Sequence, residues 1–399
     1  MLTETQLDRY AEVLLWGLNT ARSGQTQKND IVVIRYGMPA VKLAEKLQAR
    51  LLELGRHPLP RMVPTPTMEK QLYQIANKGQ LSFIPPGEET LMKNLNGSIF
   101  LHAPESITHL SKVDPSKIGQ AAISRKKLRD ILTKRDERGD FSWTLCMYPT
   151  KALAKHANLS IQEYTKQIVA ACFLNRKNPV MHWQEVYRQA GSIKKWLNRL
   201  KIKSLHIESE NTDLVVEPGE CRKWVGISGH NIPSFEIFIS PDWRGTKGTY
   251  YADQPSFRDG NYVKGIRIEF QKGTAVKINA EKGSNFIRKQ LAMDKGAGKI
   301  GEFSLTDKRF SKIKMFMANT LFDENYGGNY GNCHIALGSS YSDTFDGDPS
   351  RLTAARKAGL GFNDSALHWD IVNTEKKTVT AHFASGKKTV IYENGQFTL

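Results

Sequence analysis

The last quarter of this 399-residue chain contains, in order, IGEFSL (300–305), NTLFDEN (319–325), CHIALGSSY (333–341) and ALHWD (366–370). These segments carry Glu302, Glu324, His334, Tyr341, His368 and Asp370. Upstream, SFEIFISP (234–241) places Glu236 in a similar apolar setting. Carboxylates and imidazoles are the side chains that hold catalytic metal ions. The sequence therefore predicts a metal centre assembled from several short elements.

His368 and Asp370 are two residues apart in a segment with the composition of a β-strand. Successive side chains of a strand alternate between its faces, so both project from one face. Leu367, Trp369 and Ile371 then face a core. Such a pair can bind one metal ion, or the carboxylate can orient the imidazole. The alternative is a surface strand with one polar face.

Glu236 lies among Phe235, Ile237, Phe238 and Ile239. A carboxylate with such neighbours is costly to bury unless it is paired or bound to a metal. The alternative is an edge strand on which Glu236 faces water.

Glu324 and His334 bracket the glycine-rich segment NYGGNYGNC (325–333). In the alternative interpretation, Glu324 belongs to a turn, and His334 is an ordinary polar residue at the start of a helix or strand. Tyr341 is either a packing residue or a hydrogen-bond donor to a developing oxyanion.

Gly296, Gly298 and Gly301 match the GxGxxG pattern of dinucleotide-binding proteins. The preceding segment FIRKQLAMD (286–294) has a helical pattern, whereas that motif requires a preceding strand and a βαβ unit. We therefore expect these glycines to end a helix and to permit a close backbone approach. The sequence contains no GxSxG motif, so nothing supports a Ser-His-Asp catalytic triad.

Lysine and arginine exceed aspartate and glutamate by 57 − 40 = 17. This excess is compatible with a nucleic-acid partner or with a well-solvated basic surface, and no nucleic-acid-binding motif accompanies it. The four cysteines are far apart, which fits a reducing compartment. No secretory signal and no apolar run long enough for a membrane helix is visible. We expect a cytoplasmic protein.

The character of the sequence changes near residues 201–203, which divides the chain into two halves. Residues 1–202 alternate helical patterns with apolar runs such as IVVIRY (31–36) and GSIFLHAP (97–104), which predicts an open α/β domain. Residues 203–399 contain nine strand-like segments, many of them separated by turn residues, which predicts a β-rich domain carrying the metal site. The fold class is thus α/β, or α+β for the whole chain.

Taken together, these segments resemble the dinuclear-metal aminopeptidases of the aminopeptidase T and aminopeptidase S type, the thermophilic metalloprotease family. The resemblance covers most of the chain and rests on the ordered set NTDLVV (211–216), GHNIPSFEIFISP (229–241), KGIRIEF (264–270) and the four segments quoted first. The glycine-rich segment after Glu324 looks longer here than in the family.

The resemblance implies that two metal ions are surrounded by Glu236, Glu302, Glu324, His334, His368 and Asp370. Glu302 would lie between the ions, Tyr341 would be the active-site tyrosine, and the protein would be a homodimer acting on peptides. A donor set without thiolate suits zinc, cobalt or manganese. We therefore predict a metal-dependent aminopeptidase, with Glu302 as the general base. The alternatives are a metal-dependent hydrolase of other amides and a basic nucleic-acid-binding protein with a degenerate metal site.

Overall fold

The computed structural model describes all residues from Met1 to Leu399. The chain forms two compact units, the first from Met1–Val186 with Ile227–Ser234, and the second from Tyr187–Gly226 with Phe235–Leu399. The chain passes between the units three times, and the single boundary at residues 202/203 stays a prediction.

The chain contains thirteen α-helices and eighteen strands. The helices are α1 (Glu4–Ala21), α2 (Val41–Glu53), α3 (Pro66–Ile75), α4 (Lys78–Leu81), α5 (Glu88–Asn94), α6 (Pro115–Ser124), α7 (Lys126–Glu137), α8 (Lys151–His156), α9 (Ile161–Ala171), α10 (Pro179–Arg199), α11 (Ser284–Leu291), α12 (Thr320–Asp323) and α13 (Ala354–Gly359). The strands are β1 (Ile31–Tyr36), β2 (His57–Met62), β3 (Gly97–His102), β4 (Ser142–Met147), β5 (Ile202–Ser209), β6 (Asp213–Glu217), β7 (Asn231–Ile232), β8 (Glu236–Ile239), β9 (Asp242–Ala252), β10 (Ser256–Arg258), β11 (Asn261–Gln271), β12 (Thr274–Lys282), β13 (Ile300–Thr306), β14 (Asn332–Gly338), β15 (His368–Asn373), β16 (Lys377–Phe383), β17 (Lys388–Glu393) and β18 (Gln396–Phe397).

The first unit is built on a five-stranded sheet in the order β2-β1-β3-β4-β7, with every neighbouring pair parallel. α1 begins where Thr3 and Gln6 cap each other's backbone amides. α2 buries Leu43, Leu47 and Leu51, whereas Leu54 lies just beyond the end of the helix and is 47% exposed.

The second unit contains two antiparallel sheets. The larger has nine strands in the order β10-β11-β9-β6-β5-β16-β17-β18, with β12 paired to β11. The smaller has four strands in the order β15-β14-β13-β8. All nine strand-like segments predicted for this half form strands, and the predicted fold class is confirmed. None of the thirteen helices combines the length and hydrophobicity needed to cross a membrane.

Candidate metal centre

One face of the four-stranded sheet carries most of the predicted site. Cross-strand partners lie on the same face of a sheet, and the face alternates along each strand. Glu302 is paired with Ala336, which is paired in turn with Asp370. Ser304 is paired with His334, and Gly338 with His368. The register therefore places these side chains together over the sheet.

Glu236 reaches the same face from the neighbouring edge strand. On β8, Glu236 is paired with Thr306 and Phe238 with Ser304. Glu236 is buried, so the alternative of an edge-strand carboxylate facing water is wrong. Ser304 Oγ lies 3.3 Å from Glu236 Oε2.

The opposite face of the same four strands is apolar. It presents Ile237, Phe303, Ile335, Trp369 and Ile371, all of them buried. The strands are thus held by a core on one side while their polar residues converge on the other. A surface strand does not account for the His368–Asp370 pair.

Two of the residues between the polar groups have a small side chain or none. Ala336 stands directly between Glu302 and Asp370 and is fully buried. Gly338, the partner of His368, has no side chain. A larger residue at position 336 would fill the space that the surrounding carboxylates and imidazoles face.

His334 is the centre of the cluster. Its Nε2 lies 3.1 Å from Glu302 Oε1, 3.3 Å from Glu236 Oε2 and 3.8 Å from Asp370 Oδ1. Glu236, Glu302 and His334 each direct one ligand atom to a common region, with all of these atoms within 4.8 Å of one another. This spacing is compatible with ligation of a single cation.

His368 is oriented by a backbone carbonyl. Its Nδ1 lies 2.9 Å from Ser339 O, so this nitrogen carries the proton and donates. Its Nε2 is then free to accept or ligate, and it lies 3.4 Å from Asp370 Oδ1 and 4.0 Å from Glu302 Oε2. A histidine that donates one ring N–H to a carbonyl and directs the other nitrogen to the site is typical of metal-binding histidines.

Glu324 approaches the site from outside the sheet. It follows α12 directly, and Asp323 shapes the turn before it by accepting hydrogen bonds from Met317 N at 2.7 Å and Asn319 N at 2.8 Å. Glu324 is buried, and Thr306 Oγ1 on β13 donates to its backbone carbonyl at 3.1 Å. Its carboxylate interacts electrostatically with those of Glu236, Asp370 and Glu302. Glu324 thus lies beside the cluster.

Tyr341 borders the site on its exposed side. Its ring centroid is 4.7 Å from that of His368, and the residue is 39% exposed. Ser240 Oγ accepts a hydrogen bond from Tyr341 N at 2.8 Å and so fixes the backbone. Gly301 permits this arrangement, because a Cβ at that position would collide with the carbonyl oxygens of Gly338 and Ser339.

The cluster carries more acidic than basic groups. Four carboxylates face two imidazoles, so the charge balances only if carboxyl groups hold protons as well as the imidazoles, or if cations bind. Burial, with the charges of Glu302 and Asp370, raises the pKa of Glu236 to about 8 against the opposing effect of His334. Burial and the neighbouring carboxylates also raise the pKa of Glu324.

For the two histidines, burial and the neighbouring carboxylates shift the pKa in opposite directions. Burial alone would lower the pKa of His334, but the carboxylates of Glu302, Glu236 and Asp370 outweigh it and raise this pKa to about 9. For His368 the same competition, dominated by Asp370 and Glu302, also raises the pKa to about 9. These groups hold protons that bound cations would replace.

The structure brings all seven predicted site residues into one region of the second unit. Sequence reasoning missed Ser304, Ser240 and Asn325, which contact the site residues or their backbone. The position of Ser304, two residues after Glu302 on one strand, was the only signal for it. Ser240 and Asn325 act across long separations in sequence, and no local pattern indicates them.

The model of the family described as thermophilic metalloprotease (M29) matches residues 3–397. The chain belongs to this metalloprotease family. The resemblance inferred from the sequence segments is confirmed.

Several relatives of this metalloprotease carry aminopeptidase names. It is 27% identical to "Aminopeptidase T" of Thermus thermophilus over 308 residues, covering 73% of this chain and 74% of the relative. It is 27% identical to "Aminopeptidase AmpS" of Bacillus subtilis over 332 residues, covering 78% of each chain. It is 26% identical to "Aminopeptidase 2" of Geobacillus stearothermophilus over 416 residues, covering 99% of this chain and 98% of the relative.

The fold is also found in a solved relative. The structure described as wild-type AmpT from Thermus thermophilus superimposes with a TM-score of 0.81 and covers 99% of both chains at 22% identity. This similarity establishes the two-domain fold. With the family match and the aminopeptidase relatives, the prediction of a metal-dependent aminopeptidase is confirmed.

The residues of this metalloprotease fit divalent metal ions. The cluster offers carboxylate oxygens and imidazole nitrogens without thiolate, and His368 has its second ring nitrogen held by a carbonyl. The ligand atoms of Glu236, Glu302 and His334 all lie within 4.8 Å of one another, and the excess of carboxylates favours a cation there. Hard divalent cations and zinc prefer such donors.

Proposed function

We propose that this metalloprotease removes N-terminal residues from peptides with two divalent ions. Glu236, Glu302, Glu324, His334, His368 and Asp370 would hold the ions, with Glu302 between them. One observation carries the proposal: Glu302 Oε1 is 3.1 Å from His334 Nε2, while its Oε2 is 4.0 Å from His368 Nε2. The two oxygens of one carboxylate thus face two different imidazoles.

When bound, such a pair of ions lowers the pKa of a coordinated water and polarises the scissile carbonyl. The chain's own residues supply the remaining functions. Glu302 lies between the two imidazoles, and we assign it to accept the proton of the attacking water. A general base in this position contributes roughly 10²–10⁴-fold to the rate.

Tyr341 is assigned to stabilise the oxyanion that forms as water attacks. Its partial burial and the charges of Glu302 and Asp370 raise the pKa of its hydroxyl well above the usual range. The hydroxyl therefore stays protonated at neutral pH and can donate a hydrogen bond. Its exposed position beside His368 is where a substrate enters.

A preference for substrates with a free amino terminus is part of the proposal. The free amine would bind one of the ions or a single carboxylate of the cluster, whereas an acylated terminus has neither the lone pair nor the charge to do so. Cleavage would then be confined to the first peptide bond. No comparison supports a nucleic-acid-binding protein or a hydrolase of non-peptide amides.

Zinc, cobalt or manganese is the proposed metal, because the donor set lacks thiolate. The proposed location is the cytoplasm, since all four cysteines are free and three of them are buried. A homodimer is proposed from the sequence resemblance, and light scattering of the purified protein would test it.

The central test compares leucyl-p-nitroanilide with its N-acetylated form, before and after treatment with a chelator. We expect cleavage of the free substrate alone, loss of activity on chelation, and recovery on addition of Zn²⁺, Co²⁺ or Mn²⁺. Activity that survives verified removal of metal would contradict the metal mechanism. Equal cleavage of the acetylated substrate would contradict the aminopeptidase assignment.

A further inference from the structure

We propose that Asn325 is a positioning residue that holds Glu324 and the start of β8 in the geometry needed to bind metal. This inference rests on the proposed function, because it concerns two of the residues assigned to the ions. Asn325 itself contacts neither the substrate nor an ion in this proposal. It acts through the backbone beside Glu236 and through the Glu324 carboxylate.

The side chain of Asn325 joins two separate parts of the site. It is fully buried, and its Oδ1 accepts a hydrogen bond from Phe235 N at 2.5 Å. Its Nδ2 donates to Leu321 O at 2.9 Å and to Glu324 Oε1 at 3.4 Å. Phe235 immediately precedes Glu236. One amide thus spans the 90 residues that separate the two segments.

The orientation of this amide is fixed by its partners. Phe235 N can only donate, and Leu321 O can only accept, so the oxygen and nitrogen of the amide cannot exchange places. The Glu324 carboxylate then receives an N–H donor. A neutral donor stabilises this carboxylate without adding another charge to a cluster that already contains four carboxylates.

The backbone around Asn325 has independent support. Ser311 Oγ donates to Asn325 O at 2.5 Å, and Thr306 Oγ1 donates to Glu324 O at 3.1 Å. These bonds do not involve the Asn325 side chain. A change confined to that side chain therefore acts first on the Glu324 carboxylate and on the amide of Phe235.

The test uses Asn325→Asp, which has nearly the same shape. The new carboxylate can still accept a hydrogen bond from Phe235 N. Its second oxygen replaces the N–H donor that faced Leu321 O and the Glu324 carboxylate, and its negative charge repels both. The matched control is Asn373→Asp. Asn373 is fully buried, and its Nδ2 donates to Tyr251 O at 2.8 Å and to Glu375 Oε2 at 3.0 Å. Glu375 is not assigned to the metal site.

Zn²⁺ and Mn²⁺ binding would be measured by competition with a chromophoric chelator, alongside thermal unfolding and the metal concentration that gives half-maximal activity. We expect Asn325→Asp to weaken binding of at least one ion about tenfold or more, the loss typical of residues that orient ligands. Saturating metal should restore much of its activity. Asn373→Asp should lose thermal stability while keeping metal affinity within about twofold of wild type.

Metal affinity of Asn325→Asp equal to or above that of Asn373→Asp would overturn the role of Asn325, while leaving the proposed function intact. A wild-type protein that takes up no divalent ion would overturn the proposed function and this role with it. If Asn325→Asp does not fold, Asn325→Ser serves instead. Its hydroxyl is too short to bridge Phe235 and Glu324, so the same tenfold loss is expected, and its absence overturns the role.

Discussion

Glu302 is the residue on which the proposed chemistry depends most. It is buried, and its two oxygens face the two histidines separately. Its partner across the sheet is the small residue Ala336, and its carboxylate contacts His334 Nε2 at 3.1 Å. The consequences of altering it should therefore be local.

Glu302→Gln is expected to reduce kcat by at least about 100-fold, because the amide can neither accept the proton nor balance the charge of the ions. The protein should remain folded, as judged by circular dichroism. Glu393→Gln, at an exposed position at the end of β17, provides the control. Near-normal turnover of Glu302→Gln with metal bound would remove Glu302 from its proposed role.

Tyr341→Phe is expected to lower kcat by about 10²-fold with little change in KM, because its hydroxyl is assigned to a charge that exists only during the reaction. Tyr330→Phe is a suitable control, since Tyr330 is 42% exposed, close to the 39% of Tyr341. A rise in KM with kcat unchanged would indicate a role in substrate binding instead.

At the scale of elements, β13 organises the site. All seven of its residues are buried, and it lies between β8 and β14, each of which carries a proposed ligand. Gly301 lets this strand pass close to Gly338 and Ser339, which lead to Tyr341. Movement of β13 would thus displace Glu302 relative to Tyr341.

Gly301→Ala is expected to destabilise the protein by roughly 1–3 kcal/mol, because the new methyl group collides with two backbone carbonyls. Activity should fall as well. Gly191→Ala is the opposite case: Gly191 lies within α10 with no atom close to an added Cβ, so we expect a gain of about 0.5–1 kcal/mol. Urea unfolding of both variants would measure these changes. If Gly301→Ala and Gly191→Ala had the same free energy of unfolding, the close approach of the backbone at Gly301 would not exclude a side chain at that position.

The sequence predicted a common face best where polar and apolar residues alternate along a segment with strand composition. His368 and Asp370 alternate with buried Trp369 and Ile371, so their common face was predictable. β13 and β14 alternate as well, but they are buried on both faces, and nothing in the sequence indicated which strand pairs with which. α3 to α6 are short and lie among prolines and glycines, so their periodicity was too brief to recognise. Contacts such as Asn325 with Phe235 depend on the folded chain alone.

At the scale of the whole molecule, the two units contain different kinds of titratable group. In the first unit, burial lowers the pKa of both His102 and His230 to about 4. In the unfolded chain a histidine has a pKa near 6.5. These histidines therefore stabilise the fold fully above about pH 6.5, and the contribution is lost as the pH falls towards 4.

Between pH 7 and pH 5, each of these two histidines should lower the free energy of unfolding by at most about 1.4 kcal/mol per pH unit. In the metal-free protein Glu236 and Glu324, whose pKa values are raised, act in the opposite direction, so the prediction concerns the difference in slope between variants. His102→Gln should remove one histidine contribution from the slope, whatever its effect on stability at pH 7. His57→Gln, at an exposed position in β2, controls for the loss of a surface histidine. Denaturant unfolding of the metal-free proteins at several pH values would measure the slopes. Identical slopes for wild type and His102→Gln would contradict the prediction.

The division of the four-stranded sheet into one face with the polar cluster and one apolar face restricts how this protein can diverge. Inserting or deleting one residue inside β8, β13, β14 or β15 would exchange the two faces beyond that point, sending carboxylates into the core and apolar groups towards the cluster. Changes of length in this region are consequently expected in the connections between strands, such as the glycine-rich connection before β14.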